Sequence, residues 1–197
     1  GNTFETVVAF RILRNYMEKR YGTEAKNRII ITTEAQPNNL LYEIAQLYGY
    51  RTFSIPKNVG GRFSVLTSVG LLPLEVAGVD VESLLSGACA AQMDLMSPKI
   101  EENEAYRYAV YRAHYYNRGL NVELLATFEP QLSGLHEWWV QLFAESEGKD
   151  GKGLYPTSAT FSKQLHSLGQ FIQQGSPILF ETMLRFANVK DDFQLTD

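Results

Sequence analysis

The chain has 197 residues, 45% of them apolar, with 22 acidic against 18 basic residues and a formal charge of −4, which excludes a disordered tail, a collagen-like repeat and a disulfide scaffold. That length suits one ordinary domain or two small ones and is enough to bury a core. No apolar run reaches the ~18 residues a membrane span needs, and the mildly acidic balance offers no broad attraction for nucleic acid or an anionic membrane.

The sequence opens at Gly1 without an initiator Met, and an amphipathic helix is expected at once over residues 5–21, with Val7, Val8, Phe10, Leu13 and Met17 at helical spacing. Glu5, Arg11 and Arg14 exclude a signal peptide there, and the abrupt start suggests a piece of a longer protein. Gly22 stops the helix. Arg28 to Thr33 reads as a β-branched strand buried on both faces, Asn38 to Tyr48 as a helix and Tyr50 to Ile55 as a second strand. This alternation predicts βαβ units and a parallel sheet. Helices follow over 67–78, 80–96 and 103–118, then a strand from Asn121 to Phe128 and a helix from Pro130 to about Phe143. Residues 144–157 read as a polar, glycine-containing loop, followed by a helix near 162–174 and a strand near 178–186. The fold class is α/β.

Three stretches have the chemistry of a site. In Asn2-Thr3-Phe4-Glu5-Thr6, hydroxyls at a helix mouth can bind a phosphate, while Asn2 and Glu5 also fit an ordinary capping box. In Asn58-Val59-Gly60-Gly61-Arg62-Phe63-Ser64, paired glycines admit a ligand close to the backbone and Arg62 can hold an oxyanion; a plain turn with a solvent-facing Arg is the alternative. The position after a strand of a parallel sheet favours a ligand. Glu145 follows the run from Trp138 to Ala144, and a carboxylate at the edge of aromatic surface can be desolvated into a general base; a solvated loop is the alternative.

The remaining candidates read as structural. His114 and His136 are expected to be surface or packing residues, and no pair of His, Cys or carboxylate residues has metal-site spacing. The single cysteine, Cys89, is expected to be a buried packing thiol and suits a reducing compartment. Trp138 and Trp139 are expected in a core or interface.

The stretch from Ile55 to Pro73, with Gly60-Gly61-Arg62-Phe63-Ser64 at its centre, resembles the Gly-Gly-Arg-[Phe/Tyr]-Ser signature of glucose-6-phosphate isomerases. Gln141 to Lys149 resembles that family's Glu-Ser-x-Gly-Lys segment in its bacterial form, and Leu165 to Gly175 its later histidine segment. Gly1 to Thr6 is similar to the end of its phosphate loop. The likeness runs along essentially the whole chain.

The resemblance implies a sugar-isomerase (SIS) domain fold, a parallel sheet flanked by helices and incomplete at both ends. Residues 1–119 would form most of a first sugar-isomerase domain with its following helices, and 120–197 the beginning of a second. It implies cytoplasmic interconversion of glucose 6-phosphate and fructose 6-phosphate, in glycolysis and gluconeogenesis, through a cis-enediolate and without metal or organic cofactor. By the same resemblance Glu145 is the base, Arg62 stabilises the enediolate beside Gly61, and His166 opens the sugar ring from the other subunit of a homodimer. Thr3 and Thr6 match phosphate-loop hydroxyls, and Gln141 a glutamine near the substrate. The partners implied are the sugar phosphate and a second copy, with no nucleic acid and no membrane. The rival reading is a non-catalytic sugar-phosphate-binding module of the same fold, which has no reason to keep Glu145, Arg62 and His166 together; an isolated fragment without turnover is a third.

Overall fold

The structure is a computed structural model that describes residues 3–187. Two compact units divide it, Gly1–Ala91 and Gln92–Asp197.

In the first unit, α1 (Phe4–Tyr21) ends at Gly22, whose φ of 54° only a residue without Cβ adopts easily, and whose N–H bonds the Glu18 carbonyl. A 3₁₀ segment, Gly22–Arg28, follows, so β1 (Ile30–Thr33) begins two residues later than expected. Asn39 then joins strand to helix. Its side-chain oxygen accepts from Leu41 N and Tyr42 N at the start of α2 (Leu40–Tyr48), and its amide donates to Thr33 Oγ1 and the Glu34 carbonyl. Gly49 closes α2 in the left-handed region, and β2 (Arg51–Ser54) pairs parallel to β1, with Ile30 opposite Arg51 and Thr33 opposite Ser54. Ile31, Ala45 and Tyr50 form the core, covered by Phe10 from α1 and Leu41 and Ile44 from α2. A second 3₁₀ segment, Gly61–Leu66, leads into α3 (Ser68–Val76). A Cβ at Gly70 would stand 2.2 Å from the Val65 carbonyl oxygen, so the chain crosses itself there only because the residue is glycine. Helix α4 (Val81–Asp94), within which the two units divide, has no buried residue. Cys89 is therefore exposed, not the buried thiol expected: small neighbours describe its helix and not a core around it.

The second unit is a three-stranded parallel sheet in the order β4-β3-β5, with β3 (Val122–Thr127) between β4 (Tyr155–Thr160) and β5 (Leu179–Met183). One face carries Leu124, Ala126, Ala159 and Phe161 against Leu168 and Ile172 of α7 (Leu165–Gln174). The other carries Glu123 and Phe180 toward α5 (Glu104–Asn117), where Tyr115 stacks on Phe180 with ring centres 4.7 Å apart. Helix α6 (Ser133–Glu147) shares that face, its Phe143 ring edge-on to Tyr108 of α5. Helices α6 and α7 on opposite faces are what two right-handed crossovers leaving β3 and β4 in opposite directions require.

One sequence expectation changes here. The polar loop expected over 144–157 is shorter, because α6 continues to Glu147 and β4 starts at Tyr155. Helix propensity in Ala144-Glu145-Ser146-Glu147 carries the helix on to Gly148, and a strand containing Pro156 is tolerated at the sheet edge. Helix α5 belongs to the second unit, where Arg112 bonds Glu123 of β3. No helix among the described residues is long and apolar enough to cross a membrane.

Candidate active-site residues and their geometry

In the first unit, Thr3 occupies the N-cap position of α1, although its side chain makes no cap bond; its carbonyl accepts from Val7 N at 3.0 Å. The expected cap residue, Asn2, lies outside the described residues. Thr6 is exposed in the first turn and lines a groove of about 540 Å³ between α1 and α2. Arg14, two turns on, lies over the Tyr48 ring at the C-terminal end of α2, 3.8 Å from its centre. Helix α1 thus runs alongside α2, and eight residues at about 1.5 Å each carry Thr6 about 12 Å back toward the other end. That end is the carboxyl edge of the sheet, because Asn39 bonds the start of α2 to Thr33.

The Gly-Gly-Arg segment leaves the same edge, following the last residue of β2. Phe63 N donates to the Gly60 carbonyl, Ser64 Oγ to the Gly61 carbonyl at 2.7 Å, and Thr67 Oγ1 to the Ser64 carbonyl at 2.7 Å. Ser68 Oγ anchors the next helix to the Ser54 carbonyl of β2. Arg62 is half-buried, its guanidinium 5.0 Å from the Phe63 ring centre. A Cβ at Gly61 would meet no protein atom within 4 Å. The chain's own packing therefore does not demand glycine there. Thr3, Thr6, Gly61 and Arg62 share the carboxyl edge of β1 and β2, where a parallel sheet presents helix N-termini and loops to an anion.

In the second unit, Gln141 and Glu145 sit one turn apart on the solvent-facing side of α6, and Gln141 Nε2 donates to Glu145 Oε1 at 2.9 Å. Glu145 is helical and exposed, not the desolvated carboxylate expected at the edge of aromatic surface. The helical phase explains this: Trp139 and Phe143 turn inward, 5.0 Å apart between ring centres, while Trp138 points outward with Glu145 seven residues on. Beyond Glu147 the chain reverses tightly. Asp150 and Gly151 have φ of 54° and 69°, Lys149 bridges Lys152, and the Cβ of any residue but glycine at 153 would stand 2.6 Å from the Glu147 carbonyl oxygen.

His166 is exposed in the first turn of α7. Gln164 N bonds the carbonyl of Thr160, the last residue of β4, so His166 stands at the carboxyl edge of this sheet. Glu145 stands at the amino edge, because Gly153 packs on the end of α6 two residues before β4 begins. The six residues of β4 lie between them, a span of about 17–20 Å. One copy of this unit does not bring the two side chains together. His114 is exposed beside Tyr115, while His136 is buried with its Nε2 unpartnered, and burial pulls its pKa down. Among the described residues no cluster of His, Cys, Asp and Glu could hold a metal ion.

The sequence reading missed a buried ionic cluster in this unit. Glu123, on the central strand and fully buried, accepts from Arg112 Nε at 2.6 Å, from the Tyr108 hydroxyl at 2.5 Å and from Thr182 Oγ1 at 2.8 Å. Both terminal nitrogens of Arg112 bond the Glu147 carboxylate at the end of α6, the second at 3.0 Å, and the guanidinium lies 4.2 Å from the Phe143 ring centre. Burial pulls the Arg112 pKa down, and its bonds to Glu147 and Glu123 more than offset this, leaving it raised. Burial, with the neighbouring Glu123, raises that of Tyr108. A legible signal existed: a carboxylate in a strand buried on both faces needs a partner.

The model of the family described as Phosphoglucose isomerase matches residues 2–179. Proteins named glucose-6-phosphate isomerase match over nearly the whole chain. That of Clostridium tetani is 49% identical over 99% of this chain and 43% of its own length, and that of Symbiobacterium thermophilum 50% over 99% and 44%. The chain thus spans about two-fifths of the length of these relatives. Among solved structures, a hypothetical protein of Thermus thermophilus superposes with a TM-score of 0.84 and 29% identity over 96% of this chain and 48% of its own. A glucose-6-phosphate isomerase of Chlamydia trachomatis has the same fold, with a TM-score of 0.79 and 21% identity over 95% of this chain and 38% of its own.

Proposed function

The chain belongs to the phosphoglucose isomerase family, and from that premise we propose that the protein it forms interconverts glucose 6-phosphate and fructose 6-phosphate by proton transfer through an enediolate. The observation that carries this reading is the exposed Glu145 carboxylate, oriented by Gln141 on the last turns of α6. Isomerisation removes a proton from one carbon of the opened sugar and returns it to its neighbour, and one carboxylate within reach of both serves as the base. Negative charge develops on the substrate oxygens meanwhile, and the fixed cation of Arg62 is suited to hold it. The open space at Gly61 supports a ligand approaching the backbone there. Thr3 and Thr6, at the positive end of α1, are suited to the phosphate, whose binding orients the reacting carbons.

The separation of Glu145 from His166 by the length of β4 supports a homodimer in which His166 opens the sugar ring in the partner's site. Residues 1–119 then belong mainly to a first sugar-isomerase domain, and β3 opens a second.

The test is a coupled assay of fructose 6-phosphate conversion by the complete gene product and its Glu145→Gln variant. Glutamine keeps the oxygen that accepts from Gln141 but cannot take the proton, so kcat is expected to fall by at least ~10²-fold. An unchanged rate removes Glu145 as the base, and absence of turnover in the parent favours a non-catalytic sugar-phosphate-binding module. Mixing Glu145→Gln with His166→Ala tests the shared site. Random re-pairing leaves one intact composite site in each heterodimer and restores about a quarter of the activity; sites built within one chain restore none.

A further inference from the structure

Glu145 stands where a helix is least secure. The last turn of α6 lies at the negative end of the helix dipole, carries two carboxylates, Glu145 and Glu147, and has no basic residue of its own. Such a turn frays unless something outside the helix holds it. Resting on the isomerase reading above, we propose that Arg112 is a positioning residue for the Glu145 carboxylate, acting through its two-pronged bond to Glu147.

The clamp is rooted in the rigid part of the unit. Arg112 is 8% exposed and bonded to Glu123, which is fully buried on the central strand and fixed further by Tyr108 and Thr182. From there the guanidinium reaches the half-buried Glu147, two residues past Glu145, and supplies the positive charge the helix end lacks. The backbone is sealed at the same point. Gly148 N bonds the Ala144 carbonyl, Lys149 N bonds that of Glu147 at 2.7 Å, and Gly153 packs against the Glu147 oxygen. Gln141 orients the Glu145 side chain, and Arg112 fixes the turn it projects from. A base must meet two adjacent carbons, and a displacement of about 1 Å costs up to ~10²-fold in rate.

The experiment uses the complete gene product, with parent activity established first. Glu147→Ala releases the outer end of the clamp and leaves the buried Arg112–Glu123 pair intact, so the variant keeps its fold by circular dichroism. We expect its kcat per folded site to fall roughly 10-fold or more while KM for fructose 6-phosphate stays within about threefold. Glu147→Gln, which retains an acceptor for Arg112, recovers most of that loss, and Arg112→Lys recovers less because an ammonium lacks the fork. A kcat for folded Glu147→Ala within about twofold of the parent overturns the proposal, as does a loss of turnover that only follows the loss of folded protein. A parent without isomerase activity overturns the isomerase reading itself, and the proposal with it.

Discussion

Removing Arg112 should expose how much the second unit depends on one buried charge pair. In Arg112→Met the aliphatic stem is retained, but Glu123 is left with no exposed surface and two hydroxyl donors, both on Oε1. Its Oε2, which now accepts from Arg112 Nε at 2.6 Å, loses that donor in a fully buried site. Breaking a buried ion pair from one side costs about 3–5 kcal/mol, because the remaining charge is neither solvated nor paired. Glu147→Ala is a useful contrast. Its carboxylate is 33% exposed, so solvent screens what it loses, and the expected cost is about 1 kcal/mol or less. A double variant, Arg112→Met with Glu123→Leu, removes both charges and should regain at least half of the single variant's deficit. The measurement is equilibrium urea unfolding of the complete gene product, with amide exchange in β3 as the local readout. Arg112→Met costing no more than Glu147→Ala, or the double variant being the least stable of the three, refutes the claim that Glu123 is a buried charge dependent on Arg112.

Other consequences follow from local geometry. Gly153→Ala places a Cβ 2.6 Å from the Glu147 oxygen at a φ of 108° and should destabilise by about 2–3 kcal/mol, whereas Gly151→Ala, at φ of 69° with open space, should cost nearer 1 kcal/mol; similar urea midpoints would contradict this. Asn39→Ala removes the cap of α2 and its bonds to Thr33 and Glu34, and should lower stability by about 1–2 kcal/mol, read as faster amide exchange in the first turn of α2 than in α5. Burial holds the His136 pKa below its ordinary 6.5, so the unfolded chain binds more protons once the pH falls through 6.5 and stability is lost on acidification. The melting temperature should therefore drop between pH 7.5 and 5, and drop less in His136→Leu; parallel curves would show that His136 does not titrate in this way.

Much of the fold was legible because the signals were local. The β-branched run ending at Thr33, the glycines at 22 and 49, and the helical spacing of apolar residues from Val7 to Met17 each specify an element without help from distant residues. The end of α6 was not legible in the same way. Charge and glycine from Glu145 to Gly153 read as loop, yet its first three residues are helical and held by Arg112, whose bonds cross 11 and 35 positions of sequence. The candidate site shows the same division. Arg62, Glu145 and His166 are candidates by motif, but the exposure of Glu145 and the opposite edges occupied by Glu145 and His166 follow from helix phase and strand order. Cys89 marks the limit from the other side, since small apolar neighbours along a helix say nothing of what packs against it.

The most direct test of the central claim is isotope incorporation. Glucose 6-phosphate is converted in deuterium oxide by the complete gene product and by its Glu145→Gln variant, and the products are examined by proton nuclear magnetic resonance. Proton transfer by Glu145 through an enediolate predicts that solvent deuterium enters at C1 of fructose 6-phosphate and at C2 of recovered glucose 6-phosphate, and that both signals vanish with the variant. Conversion without any solvent deuterium, or incorporation that survives Glu145→Gln, would contradict it.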